Sequence, residues 1–306
     1  MHITEPNPTA FSQSEIQQTL EMEPQVLAPT GIQKSSSMRL PGKVAVITGG
    51  ARGIGAGTAK LFAANGAHVV IADVLDDIGA ALAVSIGGRY IHCDVTLESD
   101  VEAAVNLAVT WKGKIDIMFN NAGIPGRDGS ITNLDPGDTN RILAVNLQGV
   151  LNGIKHAARS MIRTGTRGSI ICAASSAAVM GGLGSHGYTA SKGAVVAAAR
   201  SSACELGEYG IRVNCISAHG VPSEMLVGAF RRILGRAEMA AEEVAEIVGE
   251  RGSLVKGRGG KVEDVAYGAV FLASEEEAGF VTGHNLVIDG GYTCADGNMS
   301  FIYKED

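Results

Sequence analysis

Apolar residues in this chain fall in short unbroken runs separated by stretches of helical periodicity. Lys43-Val44-Ala45-Val46-Ile47-Thr48, His68-Val69-Val70-Ile71-Ala72-Asp73 and Ser169-Ile170-Ile171-Cys172-Ala173-Ala174 are apolar at nearly every position rather than at every second one. A strand reads that way when both of its faces are covered, as in a parallel sheet between two helical layers. Further strands are predicted at 89–93, 115–119, 211–217 and 285–289. Helices are predicted from the glycine turn to about residue 65, from about 97 to 111, and from 262 to about 273, with a mixed segment at about 223–255. Such alternation of strands and helices predicts an α/β architecture.

Before this pattern begins, residues 1–37 are polar, carry Glu5, Glu15, Glu21 and Glu23, and have Lys34 as their only Lys or Arg. Disorder is expected there, with a short helix at 12–23 packed on a neighbouring subunit as the alternative. The 306 residues are 45% hydrophobic and include 41 Gly, ample for a large core with closely packed helices. A net charge of -7 argues against nucleic acid or an anionic membrane surface as partner, since no basic patch is available to neutralise phosphates. No run reaches the ~18 apolar residues of a membrane span, and there is no basic-then-apolar leader, so a cytoplasmic protein with a small-molecule ligand is expected. Cys93, Cys172, Cys204, Cys215 and Cys294 are widely spaced without a C-x-x-C pair; they read as reduced core thiols, and no metal site is expected.

The first stretch with chemistry in it is Gly49-Gly50-Ala51-Arg52-Gly53-Ile54-Gly55, between the first strand and its helix. Glycines let the backbone close on a pyrophosphate, to which the helix N-terminus presents N–H groups and the positive end of its dipole. Gly49, Gly53, Ile54 and Gly55 are therefore candidate dinucleotide contacts, with a plain helix-capping turn as the alternative. Asp73 ends the second strand, where a carboxylate accepts hydrogen bonds from both adenosine ribose hydroxyls and selects NAD. Arg52 dissents, because a guanidinium in the turn can reach a 2′-phosphate. Asp94, followed by Val95, is placed at the adenine edge. Asn121, Ala122 and Gly123 follow the fourth strand at the carboxyl edge, where an open sheet binds ligands, unless they are only a turn capped by Asn side chains.

Tyr188 and Lys192 are four apart at the head of an apolar helical run, so phenol and ammonium share a face. A unit charge about 4 Å away at an effective dielectric near 20 is worth roughly 4 kcal/mol, up to ~3 pKa units before desolvation takes some back. Tyr188 is thus expected to be an acidic tyrosine and a proton acceptor. Ser175 ends a buried strand, and the Gly-rich link 181–187 lets its hydroxyl meet the phenol. Asn146 interrupts an apolar helical stretch, where it either bends the helix and holds a water in line with Lys192 or is a satisfied core amide.

These marks, in this order, together with Arg212-Val213-Asn214, resemble the short-chain dehydrogenase/reductase family from about residue 39 to 293. The resemblance implies a single doubly wound Rossmann-type domain over 38–306, a seven-stranded parallel sheet, and a homotetramer. It also implies a catalytic tetrad of Asn146, Ser175, Tyr188 and Lys192, with Tyr188 taking the alcohol proton and Lys192 also binding the nicotinamide ribose. Where a Pro-Gly pair is usual, this chain has Ala218-His219-Gly220-Val221-Pro222-Ser223. Val221 and Ser223 are expected near the carboxamide, and His219 either points into the pocket or caps the turn. His186 is read as a surface or ribose-adjacent residue.

The N-terminal extension, the Cys-Ile-Ser-x-His-Gly-Val phrase and the Asp-Gly-Gly-Tyr-Thr end at 289–293 look most like the plant branch that oxidises terpenoid and lignan alcohols. An NAD-dependent oxidation of a bulky apolar secondary alcohol, such as borneol to camphor, is the resulting expectation. The apolar substrate cover, about 222–255, agrees with it, unless those residues are helix core or a subunit contact. An NADPH-linked carbonyl reductase and an idle nucleotide-sensing scaffold are the alternatives.

Overall fold

The computed structural model describes residues 38–294. The expectations for 1–37 lie outside them. Among the described residues, β1 (Val44–Thr48), β2 (His68–Asp73), β3 (Arg89–His92), β4 (Ile117–Asn120), β5 (Ser169–Ala173), β6 (Arg212–Ala218) and β7 (Asn285–Ile288) form one parallel sheet in the order β3-β2-β1-β4-β5-β6-β7.

Alternate strand residues go to opposite cores, which is why the runs are apolar throughout. Val44 and Val46 face one layer with Val70 and Ala72. Ala45 and Ile47 face the other with Val69 and Ile71. The first layer is built by α3 (Glu98–Lys112), α5 (Gly149–Thr164) and α6 (His186–Leu206). The second is built by α1 (Gly53–Ala64), α2 (Asp76–Ser85) and α9 (Val262–Ala273). The chain winds from β1 out to β3, then returns to β4 on the other side of β1. That reversal leaves a crevice at the carboxyl ends of β1 and β4, between the glycine turn and Asn121.

The long helical stretch before β5 is not uniform. α4 (Pro136–Leu143) passes into a π-helical turn at Ala144–Gln148 before α5 begins. Between β6 and α9, the mixed segment resolves into α7 (Glu224–Leu234) and α8 (Ala241–Arg251). A short α10 (Glu275–Ala278) precedes β7.

Candidate active site

At the crevice, the turn after β1 is tight enough to need its glycines. Gly49 has φ +61, and a Cβ there would lie 2.8 Å from the Ala122 Cα. A Cβ on Gly55 would lie 2.1 Å from the Gly49 carbonyl oxygen. Asn121 holds the turn from β4: its Nδ2 donates to the carbonyls of Thr48 at 3.1 Å and Gly49 at 2.9 Å. The Thr48 hydroxyl accepts from the backbone N–H groups of Asn121 and Ala122. Asn121 therefore serves both readings, capping one loop and shaping the crevice with the other.

α1 begins at Gly53 with no side-chain cap and no acid in its first turn. That leaves its N-terminus free for an anion, and a dinucleotide pyrophosphate fits there. Asp73 is buried, with one carboxylate oxygen accepting from Ala51 N at 2.9 Å and the other from Leu75 N at 3.1 Å. Its carboxylate is thus oriented by backbone alone, and each oxygen keeps acceptor capacity for a ribose hydroxyl. Asp94 takes up an Asx turn with Thr96, while Val95 is buried under Gly149 of α5.

The four residues of the expected tetrad converge. Tyr188 lies in the first turn of α6, whose cap is Ser185. Lys192, one turn on, is buried; its Nζ lies over the Tyr188 ring, 5.6 Å from the centroid, and donates to the Ala173 carbonyl at 2.7 Å. A Cβ placed on Gly123 would be 3.4 Å from both the Lys192 Nζ and the Asn146 Oδ1. Ser175 caps the short 3-10 turn Ser176–Ala178 with its hydroxyl, which also lies against the phenol.

Asn146 is fully buried in the π-turn, and all of its hydrogen bonds here go to protein. Its Oδ1 accepts from Ile124 N at 2.8 Å, and its Nδ2 donates to the Ile124 carbonyl at 3.0 Å and to the Ser191 hydroxyl at 3.1 Å. Ser191 in turn donates to the Tyr188 carbonyl at 2.7 Å. The helix widens to a π-turn at Asn146, and the amide is paired with the Ile124 backbone and Ser191, as the core-amide reading had it. Widening by one residue is what turns the amide toward the loop after β4.

From sequence alone, Lys192 is expected to make the phenol acidic; in the fold, burial acts more strongly. It raises the Tyr188 pKa above its ordinary value, with only the Ser175 hydroxyl pulling it down. It also pushes the Lys192 ammonium down to about 8, against a smaller upward pull from Cys215 and Cys172. The ammonium spends a hydrogen bond on a neutral carbonyl and sits over the ring face, so Coulomb attraction does not offset the desolvation of two charges.

The departure at 218–223 is also resolved. The His219 Nδ1 is 2.9 Å from the Ser176 hydroxyl, and its ring stacks on Tyr292 with centroids 4.3 Å apart. It borders a cavity of about 290 Å³ that Arg258, Asp264 and Asp289 also line. Burial lowers its pKa, opposed by the Asp289 carboxylate. Val221 is buried and Ser223 precedes α7, its Cβ 3.5 Å from the position a Gly53 Cβ would take. His186 is exposed at the start of α6.

Ser176, Ser191 and Tyr292 were missed from sequence because isolated Ser and Tyr residues carry no spacing signal. Adjacency to Ser175 and Lys192 was the one available clue. Cys93, Cys172 and Cys215 are buried as expected, with Cys93 and Cys215 pushed up to about 12 by burial. Cys204, on α6, and Cys294, in the turn region after β7, are exposed, contrary to the core reading.

In the cover, the packing is that of the helix-core alternative. Val227 of α7 packs with Met239, Val244 and Val248 into a small core, joined by Leu226, Phe230 and Ile247. Its most apolar side chains thus support one another rather than lining a pocket. Among the described residues, no helix is long and apolar enough to cross a membrane.

Known proteins place this arrangement. A family model described as enoyl-(acyl carrier protein) reductase matches residues 49–293. The short-chain dehydrogenase reductase ATA1 of Arabidopsis thaliana is 58% identical over 270 residues, spanning 88% of this chain and 99% of that one. Secoisolariciresinol dehydrogenase of Forsythia intermedia is 47% identical over 284 residues, 91% of this chain and 99% of that one. The crystal structure of a short-chain type dehydrogenase/reductase from Mycobacterium marinum superposes with a TM-score of 0.74 at 32% identity, covering 84% of this chain and 97% of that one. With its doubly wound sheet and these relatives, the chain belongs to the short-chain dehydrogenase/reductase family of nicotinamide-dependent oxidoreductases.

Proposed function

We propose that the protein is an NAD-dependent dehydrogenase that oxidises a secondary alcohol on a bulky, apolar substrate, a terpenoid or lignan alcohol such as borneol, to the ketone. The observation that carries the cofactor choice is Asp73: its buried carboxylate is oriented by Ala51 and Leu75 N–H groups, without a cation on it to receive a 2′-phosphate. Support for the substrate class comes from the segment between Ser175 and Tyr188, which exposes Val179 and Met180, and from Met225 on α7. The relative named secoisolariciresinol dehydrogenase points the same way.

The nicotinamide, when bound, supplies the acceptor for the hydride that leaves the carbinol carbon. Tyr188 accepts the hydroxyl proton, and Ser175 holds the substrate oxygen against it. Lys192 sits with its Nζ over the Tyr188 ring, one helical turn on, where it is placed to bind the nicotinamide ribose. Asn146 fixes the loop after β4 on which Gly123 lies. Tyr188 must give up its own proton before it takes the substrate's, so proton transfer is favoured as pH rises.

Incubation with NAD and a panel of terpenols and lignan alcohols, followed by absorbance of the reduced cofactor, tests this reading. Turnover of panel members is expected; silence across the panel from protein that binds NADH counts against it. Exposed Tyr267 and Phe280 near the β7 edge of the sheet support a homotetramer, which light scattering would measure. Unpaired thiols fit a cytoplasmic setting.

A further inference from the structure

Two basic side chains flank Asp73, and both are already engaged by carboxylates. Arg52 directly follows Ala51, whose N–H binds the Asp73 carboxylate. Its guanidinium Nε lies 3.6 Å from the Glu224 carboxylate, at the start of α7, and both side chains are exposed. On the opposite flank, His92 is the β3 residue in register with Asp73. Its Nδ1 is 2.8 Å from Asp76 Oδ1. The Tyr90 hydroxyl donates toward both that oxygen and the Asp73 backbone carbonyl, at 2.5 and 2.7 Å, which ties the Asp76–His92 pair to the strand end.

We propose that Glu224 and Asp76 are specificity-determining residues: by holding Arg52 and His92, they withhold from a 2′-phosphate the two basic side chains that flank the ribose site. A phosphate dianion at Asp73 needs positive charge to offset the carboxylate. Arg52 has the reach and fork geometry for it, yet Glu224 competes from the cover. Asp76 plays the same part for His92, whose pKa is raised chiefly by the hydrogen bond to Asp76. Asp94 and Asp100 also face the imidazole and add to that rise, while Asp76 itself is lowered by Tyr90 and His92. Two acidic side chains from separate elements, Glu224 on α7 and Asp76 on α2, therefore reinforce the selection that Asp73 makes.

The inference rests on the NAD reading above and needs no substrate to test. NADH and NADPH are titrated into the full-length protein, following nicotinamide fluorescence at low salt, for the wild type, Glu224→Gln and Asp76→Asn. The wild type is expected to bind NADH the more tightly. Glu224→Gln is expected to tighten NADPH by about fivefold, the upper range for an exposed pair, with NADH changed less than about twofold. Asp76→Asn is expected to do likewise at pH 6, where an imidazole freed from its partner still carries charge. Adding Arg52→Gln to Glu224→Gln is expected to erase the gain. If the wild type prefers NADH but neither variant tightens NADPH, Asp73 acts alone and the inference is overturned. A wild type that prefers NADPH, or binds neither, overturns the NAD reading and the inference with it.

Discussion

Ser175, Tyr188 and Lys192 stand on elements that feed a large core, whereas the cover at 222–255 stands on a small one of its own. β5 and α6 contribute Ile170, Cys172, Val195 and Ala199 to the large cluster on one face of the sheet. α7 and α8 share Val227, Met239, Val244 and Val248, and are further tied by Arg236 to Glu243 and by Arg231 to the Met239 carbonyl. Exposed pairs such as Arg52–Glu224 and Arg232–Asp128 join the cover to the rest, and each is worth little in water. The expected tetrad is therefore held by deep packing, and the cover by a patch that can open or be rebuilt at small cost.

The strongest way to break this contrast is at the phenol. Tyr188→Phe keeps the ring and removes the proton acceptor, so turnover of any substrate should fall by about 10³-fold while NADH binding, read by fluorescence, stays within about twofold. Retained turnover would refute the assigned role. Next comes Lys192→Met, which should abolish turnover yet stabilise the fold. With the ammonium held near 8 rather than its ordinary 10.5, its burial opposes folding at neutral pH by up to about 3 kcal/mol. That cost is fully present below pH 8 and is relieved between pH 8 and 10.5, where the unfolded chain binds the extra proton. Denaturant melts across that window should show the variant's advantage shrinking as pH rises; an advantage that grows would mean the sign is wrong.

Asn146→Ala should cost about 2 kcal/mol, because it strands the Ile124 N–H and carbonyl and loosens the loop carrying Gly123. Melting should detect it globally, since the amide ties one strand end to α6 through Ser191. Val244→Ala, by contrast, removes two carbons from the cover's own core, roughly 2 kcal/mol at most. Its signature is local: faster amide exchange in α7 and α8, unchanged exchange in β5 and β6. Equal acceleration in both regions would show that the cover and the sheet are one cooperative unit.

Much of the frame was legible because it depends on periodicity and on residues with few substitutes. The apolar runs located every strand, and β2 and α9 matched their predicted spans. The glycine turn was readable because only glycine fits beside the Ala122 Cα and the Gly49 carbonyl. Tyr188 and Lys192 were readable because four residues is one helical turn. The cover was not. Its apolar residues pair with Met239 and Val248, some distance along the chain, and nothing in their spacing says whether they face a ligand or each other.

Sequence by itself determined where strands and helices form and that Tyr188 and Lys192 share a helix face, since those follow from local period. Only the tertiary structure decided what state those groups are in. Whether a phenol is made more or less acidic by a neighbouring ammonium, and whether Arg52 is free or held by Glu224, depends on desolvation and on distances across remote segments. Those quantities are set by how the layers close, and no local pattern encodes them.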